Sequence, residues 1–168
     1  IAATVDGVRV ICAYVPNGQA VGSDKYDYKL AWLAALETWV AEQLTACPQL
    51  ALAGDFNIAP DDRDVHDPAA WAGQILCSDA ERSAFQRLLA LGLHDSFRLF
   101  EQPEKTFSWW DYRMLGFQRN QGLRIDHILL SEPLRARCTA SGIDREMRKR
   151  ERPSDHAPAI VDLAELAD

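Results

Sequence analysis

Cysteine is sparse in this chain, and no stretch of it stays apolar for long. The four cysteines, Cys12, Cys47, Cys77 and Cys138, are scattered without CxxC spacing. That excludes a cysteine zinc site or a small disulfide framework and leaves reduced packing residues. No apolar run approaches the roughly 20 residues that span a bilayer, and the first residues lack the charged start and long apolar core of a signal peptide. A cytoplasmic protein with no membrane partner is expected. There is no internal repeat, low-complexity tract or dividing linker, so residues 1–168 are expected to form a single domain, with 48% hydrophobic content to build its core. Ile1 is not an initiator and opens directly into strand-like sequence, so an upstream segment is expected to have been removed.

Positive charge is also short. Lys and Arg number 18 against 25 Asp and Glu, for a net charge of -7. That balance alone argues against a nucleic-acid partner, whose phosphates are held by cationic side chains that release counterions. Distribution weakens the exclusion. Acid collects at Asp61, Asp62, Asp64 and Asp67, and base at Arg145, Arg148, Lys149, Arg150 and Arg152, with Arg113, Arg119 and Arg124 upstream. These are either an ordinary solvated surface or a positive face for an anionic ligand.

What the chain does have is organised around Gly54-Asp55-Phe56-Asn57-Ile58-Ala59-Pro60, after the apolar run Leu50–Ala53. A short apolar run closed by Gly and Pro predicts a buried strand opening into a loop. Alternation places Asp55 and Asn57 on one side and Phe56 on the other. A carboxylate can take a proton from water or hold a divalent cation, and an amide can donate to a phosphoryl oxygen. On the motif alone, Asp-x-Asn also reads as a turn or cap.

Around it, Ala2–Val5, Asp6-Gly7 and Val8–Val15 predict a hairpin with a primed turn, ending near Tyr14. Residues Lys25 to Ala46 predict an amphipathic helix bearing Leu30, Leu33, Val40 and Leu44, with Leu36 and Trp39 beside them, stopped by Pro48. Ser78-Asp79-Ala80-Glu81 has capping-box spacing for a helix that Gly92 ends. The block Lys105–Arg113 is dense in aromatics, as core or as a platform for a base or sugar. Leu123–Leu130 predicts a strand whose one carboxylate, Asp126, needs a partner if buried. Strands are predicted at Arg135–Ser141 and Ala157–Leu163, with Asp155 and His156 at the entry to the second.

Four of these stretches together, GDFNIAP at 54–60, FSWWDYR at 107–113, GLRID at 122–126 and SDHAP at 154–158, resemble the exodeoxyribonuclease III family of abasic-site endonucleases, within the endonuclease/exonuclease/phosphatase superfamily. The resemblance implies an α/β fold, part of a two-sheet sandwich of mainly antiparallel strands flanked by helices. It implies that Asp55 activates or orients water, that Asn57 helps hold water and phosphate, and that Tyr14 hydrogen-bonds a phosphate oxygen. His156 would contact the scissile phosphate while Asp126 holds its other ring nitrogen. Asp155, Asp55 and Asn57 would contribute to the environment of Mg2+, or of Mn2+ in its place. Trp109, Leu123 and Ile125 match a pocket for a flipped sugar lacking its base, with Arg113 beside them as a further substrate contact.

The implied partner is double-stranded DNA, cleaved 5' of abasic sites and trimmed from 3' ends. The family's N-terminal half carries an Asn in the first strand and a Glu that is the main metal ligand, and neither is found here. An inactive C-terminal portion is therefore expected, completed by its missing half or self-associated through the face that half would cover. Two rivals remain: a small-molecule or lipid phosphatase of the same superfamily, and a DNA-binding module without turnover.

Overall fold

Asp6 and Gly7 both take positive φ, 49° and 78°, as a two-residue primed turn requires. The expected hairpin forms, β1 (Ala2–Val5) pairing antiparallel with β2 (Val8–Tyr14). The structure, a computed structural model, describes residues 1–165. Helix α1 (Asp24–Ala46) starts at Ser23, whose side chain accepts from Tyr26 N. Its buried stripe is Tyr26, Lys29, Leu33, Leu36 and Val40, so Leu30 and Leu44 are marginal and Trp39 is 37% exposed. The stripe is rotated from the expected one because it includes a lysine.

The chain continues through β3 (Leu50–Asp55), α2 (Pro68–Trp71), α3 (Asp79–Ala90), β4 (Leu93–Asp95), β5 (Trp109–Trp110), β6 (Gly122–Leu123), β7 (Asp126–Ser131), α4 (Glu132–Arg135), β8 (Cys138–Ile143) and β9 (Ala159–Leu163). Both halves of the capping box at Ser78 and Glu81 are made. The strand expected over Leu123–Leu130 is broken, because Arg124 N donates to Asp64 O and Ile125 O accepts from Phe56 N, both at 2.9 Å. Arg135 belongs to a helix with proline in its first turn, so β8 begins three residues later than expected. The last strand likewise begins at Ala159 rather than Ala157.

Five strands form one sheet in the order β1-β2-β3-β7-β4. Its pairs are antiparallel except β2–β3, which are parallel and joined through α1. One face, with Ile11, Leu50, Leu52 and Leu129, packs on Leu33, Leu36 and Val40 of α1 and Phe85 and Leu88 of α3. The other carries Ala51 and Leu130 under the β8–β9 pair, with Val161 and Leu163 against them. Toward β1 this second face is open, with Val10 40% exposed.

Gly54 admits β2 close against the end of β3. Its φ is 142°, and an added Cβ would lie 1.8 Å from Ala13 O. Gly54→Ala is expected to destabilise the fold by about 2–3 kcal/mol through overlap and strain, measured as a lowered urea midpoint.

Candidate active site

Strand register builds the site. Tyr14 lies opposite Asp55, and Asp55 opposite Asp126, so three polar side chains form a row across β2, β3 and β7. Phe56 turns into the helix-side core at 0% exposure, leaving the row on the other face. His156 enters from the loop before β9, bridged to Trp109. Its Nδ1 lies 2.9 Å from Asp126 Oδ2 and 3.1 Å from Oδ1, and its Nε2 is 4.0 Å from Asp55 Oδ2. A cavity of about 400 Å3 over Asp55, Asp126 and His156 extends along the sheet to Cys12. A larger cavity of about 760 Å3, between residues 62–68 and 97–106, contains none of these groups.

Asn57 joins them through a left-handed backbone, φ 49°. Its N–H donates to Asp55 Oδ1 at 2.8 Å, and its Nδ2 to Asp55 Oδ2 at 3.0 Å and Val15 O at 2.9 Å. Its Oδ1 accepts from Asn17 Nδ2 at 3.1 Å. The Asp-x-Asn turn and the candidate site are thus the same structure.

Burial, with the Asp126 charge added, raises the Asp55 pKa to about 6 against the pull of the Asn57 N–H and His156. Burial works against a charged His156, but its hydrogen bond to Asp126 and the charges of Asp126, Asp55 and Asp155 outweigh it, so its pKa lies above the ordinary value. Near neutral pH the cluster pairs an ionised, unusually basic carboxylate with an imidazole biased toward its cation. That is a combination for accepting one proton while stabilising negative charge nearby.

The aromatic block holds the histidine loop in place. Trp109 Nε1 donates to Asp155 Oδ2 at 3.0 Å, Trp110 N to Asp155 O at 3.1 Å and Tyr112 Oη to Pro153 O at 2.7 Å. Arg148 donates to Ser154 O. Phe107 and Trp110 are fully buried, which favours core and scaffold over a platform. Leu123 and Ile125, at 0% and 2% exposure, sit inside a cluster with Val65, Leu76 and Cys77. Of the three residues matched to a sugar pocket, Trp109 alone is left partly accessible.

Tyr14 is in the row but 70% exposed. Arg113 does not join the group; its exposed side chain pairs with Asp111 at 2.6 Å. Arg124 and Arg148 are buried, which takes both from the positive face the charge pattern suggested. Sequence reasoning passed over Asn17, Ser108 and Lys29. Ser108 Oγ accepts from Ile125 N and Asp126 N, both at 3.0 Å, and sets the start of β7. The available signal for Lys29 was a charge spaced three and four residues from Tyr26 and Leu33 on an apolar stripe.

Asp55, Asn57 and Asp155 are the cation donors suggested by sequence. Asn57 Nδ2 is bound to Asp55, and Asp155 accepts from Trp109. Among the described residues, no three His, Cys, Asp or Glu side chains come together to hold a metal ion.

Fold and cluster define an α/β protein with Asp55, Asn57, Asp126 and His156 gathered at the ends of the strands of a mixed sheet. Residues 3–156 match the Endonuclease/Exonuclease/phosphatase family, and the chain belongs to it. It is similar to Exodeoxyribonuclease III of Haemophilus influenzae, 40% identical in an alignment 159 positions long that covers 90% of this chain and 60% of that protein. It also resembles the 3' phosphatase NExo from Neisseria bound to product DNA hairpin, with a TM-score of 0.95 at 48% identity over 98% of this chain and 64% of that one. An AP endonuclease from Archaeoglobus fulgidus matches with a TM-score of 0.91 at 34% identity, covering 96% of this chain and 63% of its own. The chain spans about three fifths of the length of these relatives.

Proposed function

We propose that this chain is the C-terminal, site-bearing part of a DNA repair nuclease that hydrolyses phosphodiesters 5' of abasic sites and trims duplex 3' ends. The observation that carries the reading is the Asp126–His156–Asp55 chain, with Asn57 bound to Asp55. Asp55 takes the proton of the attacking water, and the free lone pair on Asn57 Oδ1 helps orient that water. His156, its Nδ1–H donating to Asp126, directs Nε2–H at a phosphoryl oxygen and offsets charge that develops there. The Tyr14 phenol contacts a second phosphate oxygen.

The names of the relatives, an exodeoxyribonuclease and a phosphatase bound to product DNA, support duplex DNA as partner. The family is generally divalent-metal dependent. Mg2+, with Mn2+ as substitute, is the proposed ion, and its ligand set is completed from outside the described residues. The 168-residue chain alone is accordingly expected to be inactive. The open face at Val10 is where the rest of the enzyme, or a second copy of the fragment, would pack. Four free cysteines suit the cytoplasm.

Because most of the aromatic block is scaffold, it does not separate a DNA substrate from a small phosphodiester. Substrate competition does. The complete enzyme should cut a duplex with one abasic-site analogue in preference to a small aryl phosphodiester, and its Asp55→Ala variant should cut neither. Preference for the small diester contradicts the reading. Salt-sensitive DNA binding, unchanged in Asp55→Asn and without product, would point instead to a binding module.

A further inference from the structure

The loop that carries Asn57 is held from beneath. Three successive carbonyls each meet a side-chain donor: Asn57 O accepts from Lys29 Nζ at 2.6 Å, Ile58 O from His127 Nε2 at 2.9 Å and Ala59 O from Arg82 Nε at 3.1 Å. Lys29 is the donor that meets a site residue itself. It is 0% exposed, and its three N–H groups are fully used, on Asn57 O, on Asn17 O at 3.2 Å and on Glu81 Oε1 at 2.5 Å.

Glu81 is equally occupied. Besides Lys29 it accepts from Leu76 N, Ser78 N and Ser78 Oγ, so the capping box of α3 also supplies the counter-charge. The two carbonyls that Lys29 binds belong to the two asparagines whose side chains bond each other at 3.1 Å. A buried ion pair of this kind gives a fold little that apolar residues of equal volume would not. Its distinctive consequence here is the orientation of two amides next to Asp55.

We propose that Lys29 is a positioning residue for hydrolysis, fixing the Asn17 and Asn57 backbones and, through them, the amide that holds Asp55. The proposal rests on the reading of Asp55 and Asn57 as reacting groups. It makes Lys29 act through Asn57 and on the rate, since small misplacements of reacting groups cost up to about 100-fold.

The test is a double-mutant cycle of Lys29→Met and Asn57→Ala in the complete enzyme, with single-turnover cleavage of the abasic duplex and DNA affinity both measured. Lys29→Met should slow cleavage about 10- to 100-fold and leave the DNA dissociation constant within about threefold. In the Asn57→Ala background the same change should cost less than about threefold. Equal costs in both backgrounds, or an unchanged rate, would overturn the proposal. If Lys29→Met does not fold, Lys29→Met/Glu81→Gln, which removes both buried charges, replaces it under the same criteria. An NMR spectrum gives a second readout independent of turnover: the Asn57 side-chain amide resonance should move in the Lys29 variant. A parent enzyme that fails to cut DNA refutes the nuclease reading, whereas an unmoved Asn57 resonance refutes this proposal even if cleavage is intact.

Discussion

Replacing Asp55 with Asn should lower single-turnover cleavage by the complete enzyme about 1,000- to 10,000-fold, the upper range for loss of a general base. The size follows from the environment. A carboxylate raised to about pKa 6 by burial and Asp126 is ionised at neutral pH yet far more basic than an exposed one. In the parent enzyme, cleavage should therefore fall about tenfold per pH unit below about 6 as Asp55 protonates. The same shift has a stability cost of opposite sign. The folded pKa lies above the ordinary value of 3.8, so this group's contribution is most favourable below that value and is lost as pH rises through about 6. At pH 8 the ionised Asp55 costs on the order of 3 kcal/mol. Asn relieves it, though its amide then faces Asn57 Nδ2, which now donates to Asp55 at 3.0 Å. Thermal melts at pH 8 should accordingly place Asp55→Asn no lower than the parent, while activity is lost.

Arg124→Leu should do the reverse to the fold and destabilise it by about 3–5 kcal/mol, as expected when one partner of a buried charge network is removed. Arg124 is 1% exposed and directs its donors to Asp64 at 2.6 Å and 3.2 Å, Asp95 at 2.7 Å and 3.1 Å, and His127 Nδ1 at 3.0 Å. Without it, Asp64, itself at 1% side-chain exposure, keeps only Arg98 as a charged partner. Burial, and then the Arg124 charge, pushes the His127 pKa down to about 3, so the ring is neutral. Accepting from Arg124 at Nδ1 leaves its Nε2–H for Ile58 O, two residues beyond Phe56. The loss should appear as a lowered urea midpoint. Arg113→Leu, at an exposed arginine, is the control and should stay within about 0.5 kcal/mol of the parent.

Much of this arrangement was legible in the sequence because it depends on short-range rules. Asp6-Gly7 dictated its turn, Ser78 and Glu81 their capping box, and the order of motifs placed Asp55, Asn57, Asp126 and His156 at element ends. The errors lie where long-range partners decide. Arg124 reads as part of a strand and a positive face, but Asp64 and Asp95 draw it into the interior and interrupt the strand. Lys29 rather than Leu30 lies on the buried stripe of α1 because Glu81, which no local pattern connects to α1, compensates a buried ammonium. The aromatic block read as core or as a ligand platform, and only the fold shows that most of it braces the loop that carries His156. The Asp55–Asp126 pairing required the β3–β7 register, which periodicity alone does not give.

Asp55 and His156 should both titrate under the influence of the Asp126 charge, and everything proposed for the site depends on that coupling. Its most direct test is the pH–rate profile of Asp126→Asn beside the parent, under single-turnover conditions with the abasic duplex. The introduced amide oxygen can still accept the His156 Nδ1–H, so the ring stays oriented while the charge is gone. Asp126 raises both Asp55 and His156, so the acid and alkaline limbs should both move to lower pH in the variant. A profile that keeps both limbs in place, or moves only one, would contradict the claim.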